Sequence, residues 1–315
     1  MELELDLNPV EVAVVLIAVA VLVALAVRRI SIPYTVALVL LGLVAAEVLR
    51  DQHLEITPEV VLVVLLPGLL FEASFRIEFR DLRESIAGVA VLAVPGVLIV
   101  AAVVSLILHQ ATGMRPELAF VVGAMVSATD PAAVLATFSR LGAPHRLATL
   151  VEGESLFNDG TGLVIFVLAI QAVQTDVSVP GAILQFFVTV IVSILIGSIG
   201  GLICSWVVAR VDDHLIETTL SLVLAYGAYV FADALHQSGI IATVSAGIVL
   251  GNVGRRLGMS EKTRNAIDTV WDFIAFLLTA IVFLLVGLAI SLQNLLGAVV
   301  PIAWCIFAVV VGRAV

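Results

Sequence analysis

The sequence has few charged side chains, few aromatic ones and only two cysteines. Charged residues make up 13% of the 315 positions and aromatic residues 6%, whereas hydrophobic residues make up 62%. Ordinary soluble domains are about 45–50% apolar and about 25% charged, so this composition excludes that class. The mean hydropathy of +1.21 is typical of a helical protein that crosses a membrane several times.

Three further shortages exclude classes of partner and site. The chain has 15 Lys and Arg against 25 Asp and Glu and no basic patch, so we expect no nucleic-acid partner. Cys204 and Cys305 lie in separate apolar stretches, which excludes a disulfide framework and a cysteine metal site. The acidic N-terminus lacks the basic segment of a signal peptide, so we expect the first apolar stretch to remain as a membrane span.

Apolar stretches of sufficient length to cross a bilayer as helices recur along the whole chain. We predict an all-α polytopic membrane protein with eleven spans. They are placed near residues 9–27, 33–49, 59–75, 86–110, 117–138, 147–173, 181–209, 215–236, 239–253, 267–290 and 297–315. If the seventh span is a linker, the spans on either side of it form two repeats of inverted topology.

Basic residues fall almost entirely in alternate connections between these spans. Of the 15 Lys and Arg, only Arg50 and Arg115 lie on the opposite side, and Arg313 lies within the last apolar stretch. Because Lys and Arg concentrate in cytoplasmic loops, we expect a cell-membrane protein with its N-terminus outside.

Two predicted spans carry polar residues at mid-depth. Thr129-Asp130-Pro131 interrupts one of them, because proline removes a backbone donor and disfavours helical geometry at the preceding residue. In the span 147–173, Ser155 and Asp159 share one helix face. Glu154 and Asn158 share the neighbouring face. The two spans therefore each bring carboxylates toward the centre of the bilayer.

The free-energy cost of placing a carboxylate in lipid limits which surroundings these acids can have. A carboxylate near the bilayer centre costs about 2.5–3.5 kcal/mol on insertion scales. The total would be roughly 10 kcal/mol if all four candidate intramembrane acids faced lipid, namely Glu72, Asp130, Glu154 and Asp159. That cost is comparable to the ~5–15 kcal/mol net stability of a whole domain. The acids must therefore face protein, water or an ion, and a carboxylate in such a place can exchange a proton for a small cation.

Several of these residues have two interpretations from the sequence alone. Asp130 either caps the half-helix that follows it or helps expose backbone carbonyls to an ion. The Asn158-Asp159 pair either fixes helix packing or binds an ion, and we favour the ion. Glu72 either reaches the membrane edge beside Arg76 or joins an internal ion pair.

Arg313, in the last apolar stretch, needs a carboxylate partner, since a guanidinium stays charged in proteins. Glu154 and Glu72 are the available partners for Arg313, and we expect a structural ion pair. Glu217 lies near a span end, where we expect it to be interfacial.

Five segments together resemble the sodium/proton antiporters of the cation:proton antiporter 1 family, prokaryotic and eukaryotic exchangers alike. They are Leu66-Pro-Gly-Leu-Leu-Phe-Glu72, Ser127-Ala-Thr-Asp-Pro131, Glu152-Gly-Glu-Ser-Leu-Phe-Asn-Asp-Gly160, Gly239-Ile-Ile-Ala-Thr-Val-Ser-Ala-Gly247 and Gly312-Arg-Ala314. The resemblance runs over the whole chain, and the Glu-Ser-x-x-Asn-Asp string paired with Thr-Asp-Pro is its most specific part.

This resemblance implies a secondary active transporter, not an enzyme, that exchanges Na⁺ for H⁺ and needs no cofactor besides these transported ions. It implies that Asp159 binds cation and proton in turn, with Asp130, Ser155 and the Thr129 backbone as coordinating groups. Asn158 would support the site and point to electroneutral exchange. The remaining implied roles are an ion pair of Glu154 with Arg313 near Glu72, and a helix break at Pro131.

The resemblance also implies an inverted-repeat antiporter fold, with discontinuous crossing helices and thirteen spans in each protomer of a homodimer. Eleven spans are present, so we expect that spans 12 and 13, and with them the second unwound helix, are missing from this chain. The implied parts are 1–85 and 211–294 for dimerisation, 86–176 and 295–315 for the ion-translocating core, and 177–210 as the linker.

The sequence is also compatible with other functions. A K⁺/H⁺ antiporter would use the same oxygen ligands, and a cation channel would also place acids in the membrane, although channels line a continuous pore. An intramembrane aspartyl protease would need two acids such as Asp130 and Asp159. The residues before those acids, Thr129 and Asn158, argue against the protease.

Overall fold

The computed structural model describes residues 17–25, 33–48, 60–175 and 178–314, and all regular secondary structure in these ranges is helical. The helices of the first half are α1 (17–25), α2 (Tyr34–Val48), α3 (Leu66–Arg76), α4 (Phe79–Val91), α5 (Val97–Thr112), α6 (Pro116–Ser127), α7 (Ala132–Leu141) and α8 (His145–Gln174). Those of the second half are α9 (Val179–Val208), α10 (His214–Ala234), α11 (Gly239–Val249), α12 (Arg255–Leu257), α13 (Glu261–Ala289), α14 (Leu292–Gly297) and α15 (Val299–Ala314).

Three π-helical turns extend these helices. Val60–Leu65 leads into α3, Leu92–Gly96 joins α4 to α5, and Leu250–Gly254 joins α11 to α12. The middle turn contains Pro95, which cannot donate a backbone hydrogen bond. The α4–α5 segment therefore stays helical through a proline by widening one turn.

Each of the eleven predicted spans is mostly helical where the structure describes it, and the exceptions are residues 128–131 and a few residues near span ends. Residues 9–16, 26, 27, 49, 59 and 315 of those spans lie outside the described residues. Among the residues that the structure describes, six helical segments are long and apolar enough to cross a membrane, and three shorter apolar helices accompany them. The six are Phe79–Thr112, Arg146–Gln174, Val179–Val208, His214–Ala234, Gly239–Leu257 and Glu261–Ala289. The chain is thus a multi-pass membrane protein, while the number of crossings stays a prediction.

The chain divides into two compact units, one of which combines the described residues up to Leu69 with Thr269–Ala298. In this unit α2 packs closely on α13 because Gly42 and Gly287 let the two backbones touch. The rings of Tyr34 and Phe276 stack beside them, with centroids 5.8 Å apart.

The other unit combines Leu70–Asp268 with the residues from Val299 onward, and it holds the polar residues singled out above. Its helices also meet at small residues. Gly123 of α6 faces the backbone of Ala101 on α5, and Gly197 of α9 faces the backbone of Ala242 on α11, without room for a Cβ at either glycine. Close backbone approach of this kind is how helices associate inside lipid, where burial of apolar surface gives little drive.

One predicted span is two helices and not one. The first of them, α6, ends at Ser127, and Ala128 is extended, with φ −72° and ψ 141°. The second, α7, begins after Pro131. Residues 128–131 are therefore non-helical, in the segment where the sequence predicts an interruption.

The entry to α10 contains a cap and a buried acid. Asp213 accepts hydrogen bonds from the amides of Leu215 and Ile216, at 2.8 and 3.3 Å, and these bonds hold the pKa of its carboxyl below the usual value. Glu217 is only 1% exposed and accepts a hydrogen bond from Thr263 Oγ1 at 3.2 Å. Glu217 lies in the first turn of α10, near the span end as expected, but its side chain is covered by protein.

Candidate functional site

The helix α8 presents one continuous polar stripe to the rest of its unit. Glu154 and Ser155 are buried, Asn158 is fully buried and Asp159 is half-buried. The helix runs unbroken through all four residues. Because the backbone amides and carbonyls of α8 are satisfied within the helix, these side chains supply its polar groups at this depth.

Ser155 ties this stripe to the non-helical segment. Its hydroxyl donates to the carbonyl of Thr129 at 2.7 Å. This carbonyl lies outside α6, so the helix itself gives it no amide partner. The bond therefore places an unwound backbone beside the polar stripe of α8, within one residue of Asp130.

Glu154 is held from two directions. Asn158, one turn further along α8, donates its Nδ2 to Glu154 Oε1 at 2.7 Å. Arg313 of α15 places its Nη1 3.1 Å from the same oxygen. The side chain of Glu154 is 11% exposed and that of Arg313 is 34% exposed. The ion pair thus joins residues 159 positions apart at a mostly covered place.

Arg313 also holds the end of α6. Its Nη2 donates to the carbonyl of Ser127 at 2.9 Å and to the hydroxyl of Thr129. The last carbonyls of a helix have no partner inside that helix, and a guanidinium suits them because it carries several donors and the positive charge favoured at a helix C-terminus. One arginine therefore connects α15, the break after α6 and the acid on α8.

Asp159 contrasts with its neighbour Glu154. No hydrogen bond or ion pair reaches the Asp159 carboxylate from any residue in the described ranges. Asp130 and Glu154 lie close enough to act on it through their negative charge. Asp130 is exposed, and Asp159 is half-buried. The site therefore concentrates three acids, and Arg313 binds one of them.

Glu72 is engaged elsewhere. It forms an ion pair with Arg76, one turn further along α3, and its side chain is 18% exposed. Of the two partners considered for Arg313, the structure places Glu154 against it. Of the two interpretations of Glu72, the one that places it beside Arg76 agrees with the observed ion pair.

Two polar groups near the stripe were not singled out from the sequence. Thr161 donates its hydroxyl to the carbonyl of Ala93 at 2.5 Å, in the π-helical turn before α5. It follows Asn158 by three positions, so helical periodicity could have found it. The other group is the Asn158 side-chain oxygen, which is buried and has no hydrogen-bond partner among the described residues. No pattern in the sequence indicates that this atom lacks a partner.

A cavity of about 240 Å³ lies beside the ion pair. It is lined by the π-helical turn with Pro95, by α5 and by the side chains of Ser127, Glu154 and Arg313. This volume has room for several waters, at about 30 Å³ each. Glu154 therefore borders a mostly apolar cavity, while the Asn158 side chain is fully buried.

Comparison with known proteins places the chain in a family. Residues 14–315 match the family described as "Sodium/hydrogen exchanger, transmembrane". The chain is 39% identical over 287 residues to the Na(+)/H(+) antiporter ApNhaP of Aphanothece halophytica, a match that covers 90% of this chain and 55% of that protein. It is 40% identical over 290 residues to the low-affinity Na(+)/H(+) antiporter NhaS1 of Synechocystis sp., covering 90% of this chain and 54% of that protein.

The fold also has a solved counterpart. The structure of the sodium proton antiporter MjNhaP1 from Methanocaldococcus jannaschii superposes with a TM-score of 0.78 at 21% sequence identity, covering 96% of this chain and 76% of that one. This similarity shows a shared fold. The chain spans about half the length of the first two relatives. Since the family match covers nearly all of its 315 residues, the chain belongs to the sodium/hydrogen exchanger family.

Proposed function

We propose that this chain exchanges Na⁺ for H⁺ across a membrane at a site centred on Asp159. The observation that supports this most is the environment of that acid: it has no hydrogen-bond or ion-pair partner among the described residues, and two further carboxylates lie near it. Three acids so close together repel one another when all are ionised. A proton or a small cation relieves that repulsion, and the two compete for one place.

The neighbours of Asp159 supply the oxygen ligands that Na⁺ accepts. In this proposal Asp130, the Ser155 hydroxyl and the Thr129 carbonyl complete the coordination, because the 2.7 Å bond from Ser155 already holds the last two groups together. Pro131 keeps the backbone unwound so that the Thr129 carbonyl faces the site. Unwound backbone of this kind is tolerated in a membrane where it lines an ion site.

Glu154 and Arg313 act as a fixed ion pair that holds the broken helix in place. Asn158 supports the pair through its bond to Glu154 and brings no charge of its own. One titrating acid at position 159 then carries either one proton or one Na⁺. We therefore propose electroneutral exchange. Glu72 and Arg76 lie outside this arrangement as a second ion pair.

The wider organisation follows the same proposal. Residues 1–85 and 211–294 would form the dimerisation part of a homodimer, and 86–176 with 295–315 the ion-translocating core, linked by 177–210. The protein would lie in the cell membrane with its N-terminus outside, because the basic residues concentrate on the other side. Alternating access would carry the ion across on the acid of α8.

Reconstituted vesicles test the proposal. The purified chain is placed in liposomes that contain a pH-sensitive dye, and Na⁺ is added outside. We expect the lumen to turn alkaline, by an amount that does not depend on an imposed membrane potential. Proton movement with K⁺ but not with Na⁺ would contradict the assigned ion. Uptake of ²²Na⁺ without any proton movement would instead indicate a channel and contradict exchange.

A further inference from the structure

The second unit has an apolar groove on its surface, separate from the ion site. The groove has a volume of about 830 Å³, within the ~300–1,000 Å³ range of ligand pockets. Four helices form its walls, namely α5, α6, α8 and α9. Its lining is apolar except for Ser105 and Glu117, and the Ser105 hydroxyl already donates to the carbonyl of Pro116 at 3.4 Å. The groove therefore suits hydrocarbon.

The depth of the groove corresponds to one leaflet of a bilayer. It runs from Glu117 and Val179, in the first turns of α6 and α9, down to Val94 and Ile165. At about 1.5 Å per residue, the stretch from Val94 to Ser105 spans roughly 16 Å. The hydrocarbon core of a bilayer is about 30 Å thick. The groove thus begins at the level of the helix ends and stops near mid-depth.

The floor and rim are rigid aromatic surface. Phe186 is buried in the core behind the groove, and Phe187 beside it is 53% exposed at the rim. The two rings meet edge to face with centroids 5.5 Å apart. A hydrogen bond of 3.3 Å from Gln185 to Gln171 ties α9 to α8 on the flank. These contacts fix the two rings against each other and join α9 to α8 beside the groove.

The open end of the groove carries charge. The carboxylate of Glu117 lines it, and Arg115, which precedes α6, is exposed two residues away. A ligand that enters here needs an apolar chain about as long as one leaflet is deep. It also needs a cationic group that can face Glu117 and an anionic group that can face Arg115. Phospholipids with an amine in the headgroup combine all three.

We propose that this groove binds one acyl chain of a membrane phospholipid whose headgroup amine is recognised by Glu117. This inference is independent of the exchange activity, because none of the groove residues belongs to the ion site. The lipid would fill the space between α9 and the helices α5, α6 and α8. In this proposal the groove is distinguished from the rest of the exposed surface of α9, because the groove is concave and Glu117 lines it.

The first test measures occupancy of the groove by a chain. Phosphatidylethanolamine with a photoactivatable group on its tail is cross-linked to the reconstituted chain, and the modified peptides are identified. We expect cross-links on α8 and α9 that fall severalfold in Ile183→Trp, since the new ring fills the groove. Ile199→Trp is the matched control, because Ile199 lies on the same helix and is 55% exposed against 54% for Ile183.

The second test measures the headgroup. Native mass spectrometry of the chain in an equal mixture of phosphatidylethanolamine and phosphatidylglycerol should show severalfold more of the amine lipid retained. Glu117→Gln should remove this preference and Glu117→Asp should keep it. Equal cross-linking in Ile183→Trp and Ile199→Trp would overturn the proposal. An unchanged lipid preference in Glu117→Gln would overturn it as well.

Discussion

Glu154 and Asp159 are two acids on one helix, about 7.5 Å apart along its axis, and their surroundings are opposite. Glu154 receives a hydrogen bond from Asn158 and an ion pair from Arg313. Asp159 receives neither from the described part of the chain, and its charged neighbours are other acids. The same side-chain chemistry on one helix is thus fixed in one case and left without a partner among the described residues in the other.

The difference shows how a membrane protein can hold acids for two purposes. An acid paired with arginine keeps its charge and fixes the positions of helices, because separating the pair would leave a charge in a place of low dielectric. An acid without such a partner must find a proton or a cation. In the function proposed above, structure and transport are divided between residues five positions apart.

The largest effect is expected from removing the charge of Asp159. Asp159→Asn should abolish Na⁺-driven proton movement in vesicles, because the site loses the group that carries either ion. Its stability should stay equal or rise slightly, since repulsion from Asp130 and Glu154 is relieved. Asp159→Glu should retain partial exchange with altered ion preference. Measurable exchange in Asp159→Asn would show that another group carries the ions.

For the paired acid, Glu154, loss of its arginine should affect stability first. Arg313→Ala should lower the free energy of unfolding by about 3 kcal/mol, the low end for orphaning a buried charge, because the arginine is partly exposed. Adding Glu154→Gln should recover about 1 kcal/mol. The measurement is chemical unfolding in detergent micelles. A double variant no more stable than Arg313→Ala alone would argue that the ion pair contributes nothing.

Competition at one acid predicts a bell-shaped dependence of transport on pH. At low pH the proton occupies Asp159 and excludes Na⁺, and at high pH no proton is available for the return step. Because Asp130 and Glu154 are coupled to Asp159, the two limbs describe the whole site. The acidic limb should move to lower pH by about one unit for each tenfold rise in Na⁺, as mass action requires for one-for-one competition. An acidic limb that stays fixed over a hundredfold range of Na⁺ would place the proton at a separate site.

The smallest effect is expected at the ion pair of Glu72 with Arg76. Arg76→Ala removes the partner of Glu72 one turn away on the same helix. Because Arg76 is 41% exposed and water can replace it, we expect a loss of about 0.5 kcal/mol, measured by the same unfolding experiment. A loss as large as that of Arg313→Ala would mean that Glu72 is as dependent on its arginine as Glu154 is.

Much of the fold could be predicted from the sequence. Apolar length set the spans, because a helix must be about 20 residues long to cross hydrocarbon. Pro131 marked the non-helical segment, because proline cannot donate to the helix. The polar face of α8 followed from the helical period alone. The shape of the π-helical turn at Pro95 could not be predicted, since a proline can also end or kink a helix.

The partners of the acids differ in how far they lie along the sequence, and this decides whether they could be predicted. Glu72 and Arg76 are four positions apart, so sequence spacing suffices to suggest their contact. Arg313 is 159 positions from Glu154, so the residues narrowed its partner to Glu154 or Glu72, and only the family resemblance pointed to Glu154. The three-way contact of Arg313 with Glu154, Ser127 and Thr129 depends on how α15 packs beside α6 and α8.

The sequence by itself determined that acids lie in the membrane and which helices carry them, because insertion energy and helical period act locally along the chain. The residues by themselves left open whether Glu154 or Glu72 pairs with Arg313, although the family resemblance implied Glu154. Only the tertiary structure decided between them, because it places Glu154 against Arg313 and Glu72 against Arg76. The physical reason is that a guanidinium reaches only the groups that packing brings within a few ångströms, and packing depends on contacts between distant parts of the chain.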